Sequence, residues 1–370
     1  MKLSSLELTD FRTYAHASVV FPDGVSILHG SNAQGKTNAL EAVFLLSGLR
    51  SWRARVKMEL ISFGAEQAIV CGTVETRGRA FDMRLVIPTA GRESVTVNGV
   101  KKRTRGALTE TLRCVLFSPE DLALVREGAV ARRRYLDTAL CQLRPRYAET
   151  LAEYNRLLEQ KSRLLKTEEG KRAGLLAVLP DYNARMARLG AAVIAFRARY
   201  FALLAPACAA VYGEIAGGRE TLALSYHTVS SVRDPFDERD TELSLLRHAE
   251  EHYAAELASC QCLSGPHKDD FSIHIDGREA KAYASQGQTR SAALALKFAE
   301  REMFFRDGGE YPLLLLDDVL SELDARRQAF VTERVAGGQT LLTSAGDAGA
   351  LFGESAALFS VTRGAIERTR

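Results

Sequence analysis

The segment of residues 30–37 constrains the fold of this chain more than any other part of the sequence. It reads Gly-Ser-Asn-Ala-Gln-Gly-Lys-Thr and matches the phosphate-loop pattern without a mismatch. The apolar run Val25–His29 precedes it and the amphipathic run Lys36–Leu46 follows it. The pattern therefore predicts a strand, a glycine-rich loop and a helix, the arrangement in which loop N–H groups and the positive end of a helix bind phosphate.

The chemistry of this loop assigns roles to individual residues. Lys36 is predicted to reach the β- and γ-phosphates of ATP, and the Thr37 hydroxyl is predicted to bind Mg²⁺. A glycine loop that only caps a helix has a similar sequence, but the preceding strand favours a nucleotide site. The predicted ATP-binding residues of this segment are Gly30, Ser31, Asn32, Ala33, Gln34, Gly35, Lys36, Thr37 and Asn38.

A second predicted part of the site lies far downstream, where four leucines are followed by Asp317 and Asp318. A short apolar run that ends in carboxylates is typical of a buried strand in an open α/β sheet, whose carboxyl end binds ligands. We expect Asp317 to hold Mg²⁺ and Asp318 to orient or deprotonate the attacking water, with Lys36 as the third catalytic residue. Taken alone, the same strand end could simply begin a turn.

A third segment, Ser285-Gln286-Gly287-Gln288, opens an apolar helix. It resembles the signature motif of ABC ATPases, and Ser321-Glu322-Leu323-Asp324 resembles their D-loop. Ser285 can donate a hydrogen bond to a γ-phosphate oxygen, while Gly287 lets the backbone approach an anion at a helix N-terminus. A serine-glycine helix cap looks similar. The position after the phosphate loop and before the carboxylate strand favours the signature motif, with Ser285, Gly287 and Gln288 in the ATP site.

The pattern along the chain predicts an α/β fold with an inserted, mainly helical lobe, and the resemblance of the motifs to those of ABC ATPases implies that the α/β part is an ABC-type ATPase head. The predicted domains are an N-terminal ATPase part (1–118), the helical lobe (119–262) and a C-terminal ATPase part (263–370). Asn98-Gly99 predicts a tight hairpin turn. The predicted strands are 2–8, Val25–His29, 67–75, 81–87, Ser94–Val97, 271–275, 313–316 and 339–343.

Composition narrows the class of protein. The chain has 370 residues, and no run of about 18 or more apolar residues appears, which argues against export and membrane insertion. Its six scattered cysteines are typical of a reducing compartment, so a cytoplasmic protein is expected. Cys260 and Cys262 are the one close pair; without a second pair at zinc spacing they are interpreted as packed thiols.

The motifs together resemble the RecF family of bacterial recombination proteins over nearly the whole chain. The resemblance implies a head similar to those of chromosome-organising SMC proteins, ATP-dependent homodimerisation, slow ATP hydrolysis, duplex DNA binding, and recombinase loading at single-strand gaps with RecO and RecR. The stretches that carry it are residues 8–14, 30–37, 117–122, 132–137, 264–270 and 285–324.

The resemblance also implies how the site is assembled. In this class each signature motif acts on the ATP of the other copy, so that two chains make two sites. Arg12 is implied to contact the nucleotide near its base or phosphates, although a surface arginine at a strand end is an equal alternative. Pro119-Glu120-Asp121 takes the place of the Q-loop without a glutamine.

Two departures from the broader ABC pattern predict slow turnover. Asp318 stands where most transporters carry a glutamate, and its carboxylate is one methylene shorter. Thr343-Ser344-Ala345 stands where transporters place a switch histidine, and a hydroxyl makes a weaker contact to the γ-phosphate. Slow hydrolysis suits a timer or clamp better than a pump.

The net charge of +3 is too small to indicate a nucleic-acid partner, but the charge is unevenly distributed. Residues 126–172 contain 12 basic residues against 7 acidic ones. We expect a basic DNA-binding surface, although a solvated helix face with local ion pairs is the alternative for any single arginine. The candidate DNA contacts are Lys101, Lys102, Arg103, Arg132 and Arg133.

Two other functions compete with this interpretation. A transporter ATPase subunit would have a shorter segment between the phosphate loop and the signature, and a switch histidine. An architectural SMC-like clamp would have long heptad arms, which the sequence does not show. His267, Lys268, Asp269 and Asp270 could suggest a metal site, but four residues of one loop supply few convergent ligands, so a structural or lobe-linking role is expected.

Overall fold

The structure, a computed structural model, describes residues 1–167, 177–346 and 349–370. These residues divide into two units. Unit 1 comprises Met1–Leu122, Glu214–Gly218 and Gln286–Arg370, and unit 2 comprises Ala123–Gly213 and Arg219–Ser285. In sequence, unit 2 therefore interrupts unit 1, as an inserted lobe requires.

The strands and helices of the described residues are numbered in chain order. The strands are β1 (Lys2–Phe11), β2 (Tyr14–Val20), β3 (Val25–His29), β4 (Gln67–Thr76), β5 (Arg79–Pro88), β6 (Ser94–Val97), β7 (Val100–Lys102), β8 (Cys114–Phe117), β9 (Leu222–His227), β10 (Asp270–Ile275), β11 (Arg278–Glu279), β12 (Leu313–Asp317), β13 (Thr340–Ser344), β14 (Ala356–Thr362) and β15 (Ala365–Arg368). The α-helices are α1 (Lys36–Leu46), α2 (Ala123–Arg126), α3 (Ala129–Leu143), α4 (Pro145–Leu165), α5 (Leu179–Ala216), α6 (Glu238–Glu251), α7 (Tyr253–Ser259), α8 (Ala280–Tyr283), α9 (Gln286–Gly308), α10 (Ala325–Arg334) and α11 (Gly349–Phe352).

An antiparallel sheet forms the first layer of unit 1, with the strand order β2-β1-β4-β5-β6-β7. The predicted hairpin is confirmed, since β6 and β7 pair across Asn98 and Gly99, which both have positive φ. Strand β2 was not predicted. Its buried positions, at Tyr14, Ala17 and Val19, are spaced irregularly and give a weak period-2 signal.

A second sheet of unit 1 has the order β15-β14-β3-β13-β12-β8. All its strands except β15 run parallel. Strand β13 lies between β3 and β12, so the register places Thr343 opposite both Asp317 and Leu28, and Ser344 opposite His29. The carboxyl ends of these three strands therefore meet at one edge of the sheet, where open α/β sheets bind ligands.

Helix α1 belongs to the main core of unit 1. Its buried residues lie on every face and pack with strands of both sheets. The sequence indicated a single apolar face centred on Leu40, Val43 and Phe44. Burial on all sides is what a helix between two sheets requires, and it holds the residue at its start, Lys36, at a fixed position.

Unit 2 contains α3, α4, most of α5, and a small sheet with the order β11-β10-β9. This sheet corrects the predicted boundary at residue 263. Residues 271–275 were assigned to the ATPase domain, but β10 pairs with β9, which lies in the lobe that was expected to be mainly helical. The apolar alternation of β10 is real, but periodicity alone does not reveal which sheet a strand joins.

A buried ionic cluster holds unit 2 together around Arg197 of α5. Its guanidinium donates to Asp137 Oδ1 at 2.8 Å, Asp269 Oδ2 at 2.8 Å and the Pro266 carbonyl at 2.7 Å. Tyr226 donates a further hydrogen bond to Asp269 at 2.5 Å. The side chains of Arg197 and Asp269 are 3% and 0% exposed. Burial raises the pKa of Asp269, and the charge of Arg197 opposes that shift.

Helix α5 is long and apolar enough, by length and composition, to cross a membrane, and among the described helices it alone meets that criterion. In the structure 56% of its most apolar window is buried. Its Arg197 also makes the ion pairs described above. The helix therefore packs as the central helix of unit 2.

Replacing Asp269 with alanine is expected to lower the free energy of unfolding by about 3–5 kcal/mol. The reason is that Arg197 would remain buried and would lose one of its two carboxylate partners, keeping only Asp137. Urea denaturation followed by circular dichroism measures this loss. The matched control is Glu238→Ala, which breaks the half-exposed pair with Arg199 on the same helix and is expected to cost less than about 1 kcal/mol. Equal losses in the two variants would contradict the assignment of the cluster as the centre of unit 2.

Candidate functional site

The phosphate loop of residues 30–35 follows β3, and α1 begins at Lys36, as predicted. Lys36 Nζ donates hydrogen bonds to the carbonyl oxygens of Gly30 at 2.5 Å and Ser31 at 2.8 Å. Desolvation lowers the pKa of Lys36, and the nearby Asp318 and Asp317 carboxylates oppose that shift. The ammonium therefore lies over the loop, close to both predicted catalytic carboxylates.

The turn between β1 and β2 packs against the phosphate loop at Gly35. The buried Tyr14 hydroxyl donates to the Gly35 carbonyl at 2.8 Å. Gly35 has a φ of +114°, and a Cβ there would lie 2.9 Å from both Thr13 Oγ1 and the Tyr14 hydroxyl. Residue 35 must therefore be glycine for the loop to close over this turn.

Asp317 joins the three segments that the second sheet brings together. Its Oδ1 accepts hydrogen bonds from the hydroxyls of Thr37, at 2.7 Å, and Thr343, at 2.8 Å. The Thr343 oxygen also accepts from the backbone N–H of Asp318 at 2.9 Å. Burial raises the pKa of Asp317, whereas the bonds from Thr37 and Thr343 favour the carboxylate. Thr37, Asp317 and Asp318 therefore lie together, as the sequence predicted.

The D-loop segment contacts Asp318. Ser321 Oγ lies 2.9 Å from the carbonyl oxygen and 3.2 Å from Oδ1 of Asp318. Asp318 has a φ of +51°, in the left-handed region that non-glycine residues seldom occupy. Strained backbone of this kind is common at catalytic positions. The contact with Ser321 orients the predicted catalytic carboxylate.

Arg12 lies beside the loop with its guanidinium bound to a buried carboxylate. Its Nε and NH2 donate to Glu41 at 2.9 and 2.8 Å, and Glu41 is completely buried in α1. Ser51 donates to the same carboxylate. Two of the five guanidinium N–H donors of Arg12 are therefore bonded to Glu41, a partner that the sequence did not indicate.

A cavity of about 960 Å³ opens beside the phosphate loop in unit 1. Its size lies at the upper end of the usual range for ligand pockets. The lining comes from the phosphate loop and the first turn of α1, from the turn after β1, from residues 58–65, and from the turn of the C-terminal hairpin that β14 and β15 form. The lining residues are Arg12, Thr13, Ala33, Gln34, Asn38, Met58, Glu59, Ile61, Ser62, Phe63, Gly64, Ala65, Arg363 and Gly364.

The signature segment is bound to the D-loop segment. Arg327 of α10 donates to the Gly287 carbonyl and to Ser291 Oγ, both at 2.9 Å. Arg290 of α9 pairs with Glu322 at 3.3 Å. Ser285 is exposed and directly precedes α9, while Gly287 and Gln288 are half-buried in its first turn. The start of α9 and the D-loop are thus held as one piece.

The segment that takes the place of the Q-loop contacts the signature helix through its aspartate. Asp121 lies 3.6 Å from Lys297 of α9, and Lys297 lies 3.0 Å from Glu300. Burial raises the pKa of Glu300 to about 7. Glu120 is exposed. A buried lysine therefore connects the end of Pro119–Leu122 to α9, a link that sequence spacing does not show.

The structure changes the set of candidate DNA contacts. The prediction that Arg132 contacts DNA is wrong, because this residue is 7% exposed and its guanidinium forms a bidentate pair with Asp270 at 2.6 and 2.8 Å. Arg133 is half-buried and donates to the Asp269 carbonyl. Lys101 and Arg103 are exposed, and Lys102 is half-buried, at the edge strand β7 and just after it.

Ion pairs inside unit 2 neutralise part of the excess positive charge of residues 126–172. Lys161 is 2% exposed and pairs with Glu256 at 2.5 Å, and Arg163 pairs with Glu159 on its own helix. Lys171 and Arg172 lie outside the described residues. Local ion pairs thus account for several of the charges that had indicated DNA.

His267 has a structural role. Its Nε2 lies 2.9 Å from the Cys262 carbonyl, which can only accept, so that nitrogen carries the proton. Nδ1 then accepts from the Tyr154 hydroxyl at 2.6 Å. Burial lowers the pKa of His267 to about 4, which keeps the ring neutral. Both ring nitrogens are engaged, and no group of three or more metal-ligating side chains occurs among the residues described.

Comparison with known proteins decides the family. The family model of the RecF/RecN/SMC N-terminal domain matches residues 2–344. A DNA replication and repair protein RecF from Synechococcus sp. (strain JA-3-3Ab) is 41% identical over 93% of this chain and 91% of its own. The RecF protein of Bacillus subtilis (strain 168) is 36% identical over 93% of both chains. The chain belongs to the RecF family.

Solved structures agree with this assignment. A structure of the recombination mediator protein RecF with ATP in the RecFOR pathway superimposes with a TM-score of 0.91 at 32% identity, covering 100% of this chain and 97% of that one. The Smc head domain of Pyrococcus furiosus, bound to the C-terminal domain of ScpA, reaches 0.56 at 17% identity, covering 99% and 95%, and shows a shared fold. The predicted fold class, an ABC-type ATPase head of the SMC-like kind, is confirmed.

The sequence did not predict the contacts of several residues in the site. Thr343 was interpreted as a weaker substitute for a switch histidine, but in the structure its hydroxyl holds Asp317 and the Asp318 backbone. Tyr14, Arg327 and Lys297 act through contacts between segments far apart in sequence. A single sequence contains no signal for those contacts.

Replacing Thr343 with valine is expected to destabilise the chain by about 1–3 kcal/mol and to slow ATP hydrolysis, because the part-buried Asp318 N–H loses its acceptor and the buried Asp317 loses a donor. Thermal unfolding and steady-state phosphate release measure the two effects.

The same strand offers a matched control. Thr340 is buried on β13 and its hydroxyl has no hydrogen-bond partner among the described residues, so Thr340→Val is expected to be neutral or stabilising. If Thr343→Val and Thr340→Val have the same stability and the same rate of ATP hydrolysis, the hydrogen bonds of Thr343 do not position Asp317 and Asp318.

Proposed function

We propose that the chain is an ATP-dependent DNA-repair ATPase that dimerises on ATP, clamps DNA at single-strand gaps and promotes recombinase loading with RecO and RecR. Slow hydrolysis then releases the clamp. The observation that carries the proposal is the bonding of Asp317 to both Thr37 and Thr343, which assembles a phosphate loop and two carboxylates in a chain of the RecF family. The names of the relatives support the role in DNA repair and the RecFOR partners.

The side chains of Thr37 and Asp317 are suited to bind Mg²⁺. The Thr37 hydroxyl and the Asp317 carboxylate are hard oxygen ligands 2.7 Å apart, next to a phosphate loop, which is how Mg²⁺ is held in nucleotide sites of this kind. When bound with ATP, Mg²⁺ neutralises charge that develops on the β- and γ-phosphates. We infer that Thr37 and Asp317 hold it.

The remaining chemistry is assigned to residues of the chain itself. Lys36 binds the β- and γ-phosphates and offsets their charge, while Asp318 orients or deprotonates the attacking water. Ser321 restrains the Asp318 carboxylate, and Thr343 restrains its backbone. A rigid aspartate, shorter than the glutamate of transporters, supports slow turnover.

The signature half of the site is proposed to act on the ATP of a second copy. Ser285 is exposed, Gly287 and Gln288 open α9, and Arg327 fixes this turn to the D-loop. The first half-site consists of Lys36, Thr37, Asp317 and Asp318. Two chains that face each other would form two complete sites.

Mixing two inactive variants tests this composite site. Lys36→Ala removes the phosphate contact, and Ser285→Arg blocks the signature, so each variant alone is expected to lose ATPase activity. In a mixed dimer, the phosphate loop of the Ser285→Arg chain meets the intact signature of the Lys36→Ala chain. We expect the mixture to recover about a quarter of the parental activity, because half of the dimers have one intact site. Absence of any recovery on mixing, with both variants folded and able to associate with the parent, would contradict the composite site.

The exposed basic group at β7 is proposed to contact DNA phosphates. We expect the combined change of Lys101, Lys102 and Arg103 to alanine to weaken duplex binding and to reduce the salt slope by up to about 0.9 for each lost phosphate contact. Fluorescence anisotropy over a range of salt concentrations, with ATP, measures both quantities.

A charge-matched control uses Arg163, Arg185 and Arg199, three exposed arginines that each pair with a glutamate in unit 2. Their change to alanine is expected to leave the slope nearly unaltered. Equal effects of the two triple variants would show that net charge, and no particular surface at β7, governs DNA binding.

A further inference from the structure

The turn of the C-terminal hairpin is built into the phosphate loop. The backbone N–H of Arg363 donates to Gln34 Oε1 at 2.7 Å, and the Gly364 N–H lies 3.4 Å from the Gln34 carbonyl oxygen. Gly364 has a φ of +78°, and a Cβ there would collide with the carbonyl oxygen of Thr13. The turn therefore fits between the loop and the β1–β2 turn only with glycine at residue 364.

The strands of the hairpin fix this turn relative to the loop. Strand β14 pairs in parallel with β3, and Ser360 lies opposite His29, the last residue before the loop. A Cβ on Gly30 would come within 2.5 Å of the Val361 carbonyl oxygen. The hairpin is thus packed along one whole side of the phosphate loop.

The turn of the hairpin also lines the cavity beside the phosphate loop. Arg363 and Gly364 line the cavity together with Ala33, Gln34 and Asn38. Asn38 lies in the first turn of α1, just beyond the residues that bind phosphate. A nucleotide whose phosphates occupy the loop would extend its ribose and base past Asn38 into this cavity.

Two arginines line the cavity, and their guanidinium groups differ. Arg12 is bound in a bidentate pair with Glu41. Arg363 is exposed, and within the described part of the chain its guanidinium forms no ion pair. The cavity lining also includes Met58 and a fully exposed phenylalanine, Phe63. A planar guanidinium that shares a cavity with apolar side chains is suited to stack on a purine base.

We propose that the C-terminal hairpin forms one wall of the nucleoside pocket, and that Arg363 contacts the ribose and base of ATP bound in the same chain. This inference rests on the proposed ATP site and deepens it. The hairpin lies beyond residues 2–344, the segment that matches the family model. The wall is therefore contributed by a part of the chain outside the matched domain.

Competition with a fluorescent ATP analogue tests the assignment, with ATP and inorganic triphosphate as competitors in the presence of Mg²⁺. Arg363→Ala is expected to weaken ATP binding about 3- to 30-fold, in line with the loss of a stacking cation, and to leave triphosphate binding unchanged. Gly364→Ala should also weaken ATP binding, because the turn must move away from Thr13. The matched control, Arg368→Ala on β15, removes a guanidinium bonded to the Arg370 carbonyl and should change neither ligand.

The outcomes separate this inference from the proposed function. If Lys36→Ala abolishes binding of ATP and triphosphate while Arg363→Ala and Gly364→Ala change nothing, the ATP site stands and the nucleoside wall is overturned. An equal loss of ATP and triphosphate in Arg363→Ala also overturns it, because the contact would then be to phosphate. If the parent binds neither competitor, or Lys36→Ala alters neither affinity, both proposals fall.

Discussion

The site depends on one carboxylate oxygen that accepts two hydrogen bonds. Asp317 Oδ1 binds the hydroxyls of Thr37 and Thr343, which come from the segments after β3 and on β13. A buried carboxylate without donors would be costly, so burial and bonding together fix all three residues. This single interaction positions the phosphate loop, the oxygen ligands that we propose for Mg²⁺, and Asp318, which we propose as the catalytic carboxylate.

The parallel sheet makes that interaction possible. Because β13 lies between β3 and β12, its last residues reach both the phosphate loop and the carboxylates. The sequence could predict the three strands and the role of their carboxyl ends, since apolar runs followed by polar residues are local patterns. Which strand lies in the middle is a property of the folded chain, and this is why Thr343 was interpreted as a switch residue and not as a structural partner of Asp317.

Other differences between sequence and structure have the same origin. Arg132 looked like a surface cation because basic residues cluster around it, whereas Asp270, far away in sequence, binds it inside unit 2. Strand β10 showed correct alternation but joins β9 rather than the ATPase sheet. The strand, loop and helix around residues 30–37 follow a local pattern, and the end of β3 at His29 and the start of α1 at Lys36 were predicted. Contacts between distant segments, including that of Arg363 with Gln34, were not.

The central claim is that ATP is bound between two copies of this chain. In this proposal each chain supplies one phosphate half-site and one signature half-site, and the bond from Arg327 to the Gly287 carbonyl restrains the latter. Sedimentation velocity of the full chain with Mg²⁺ and ATP, ADP or no nucleotide tests the claim most directly. The account predicts a dimer with ATP and a monomer with ADP or without nucleotide. The same oligomeric state under all three conditions would contradict it.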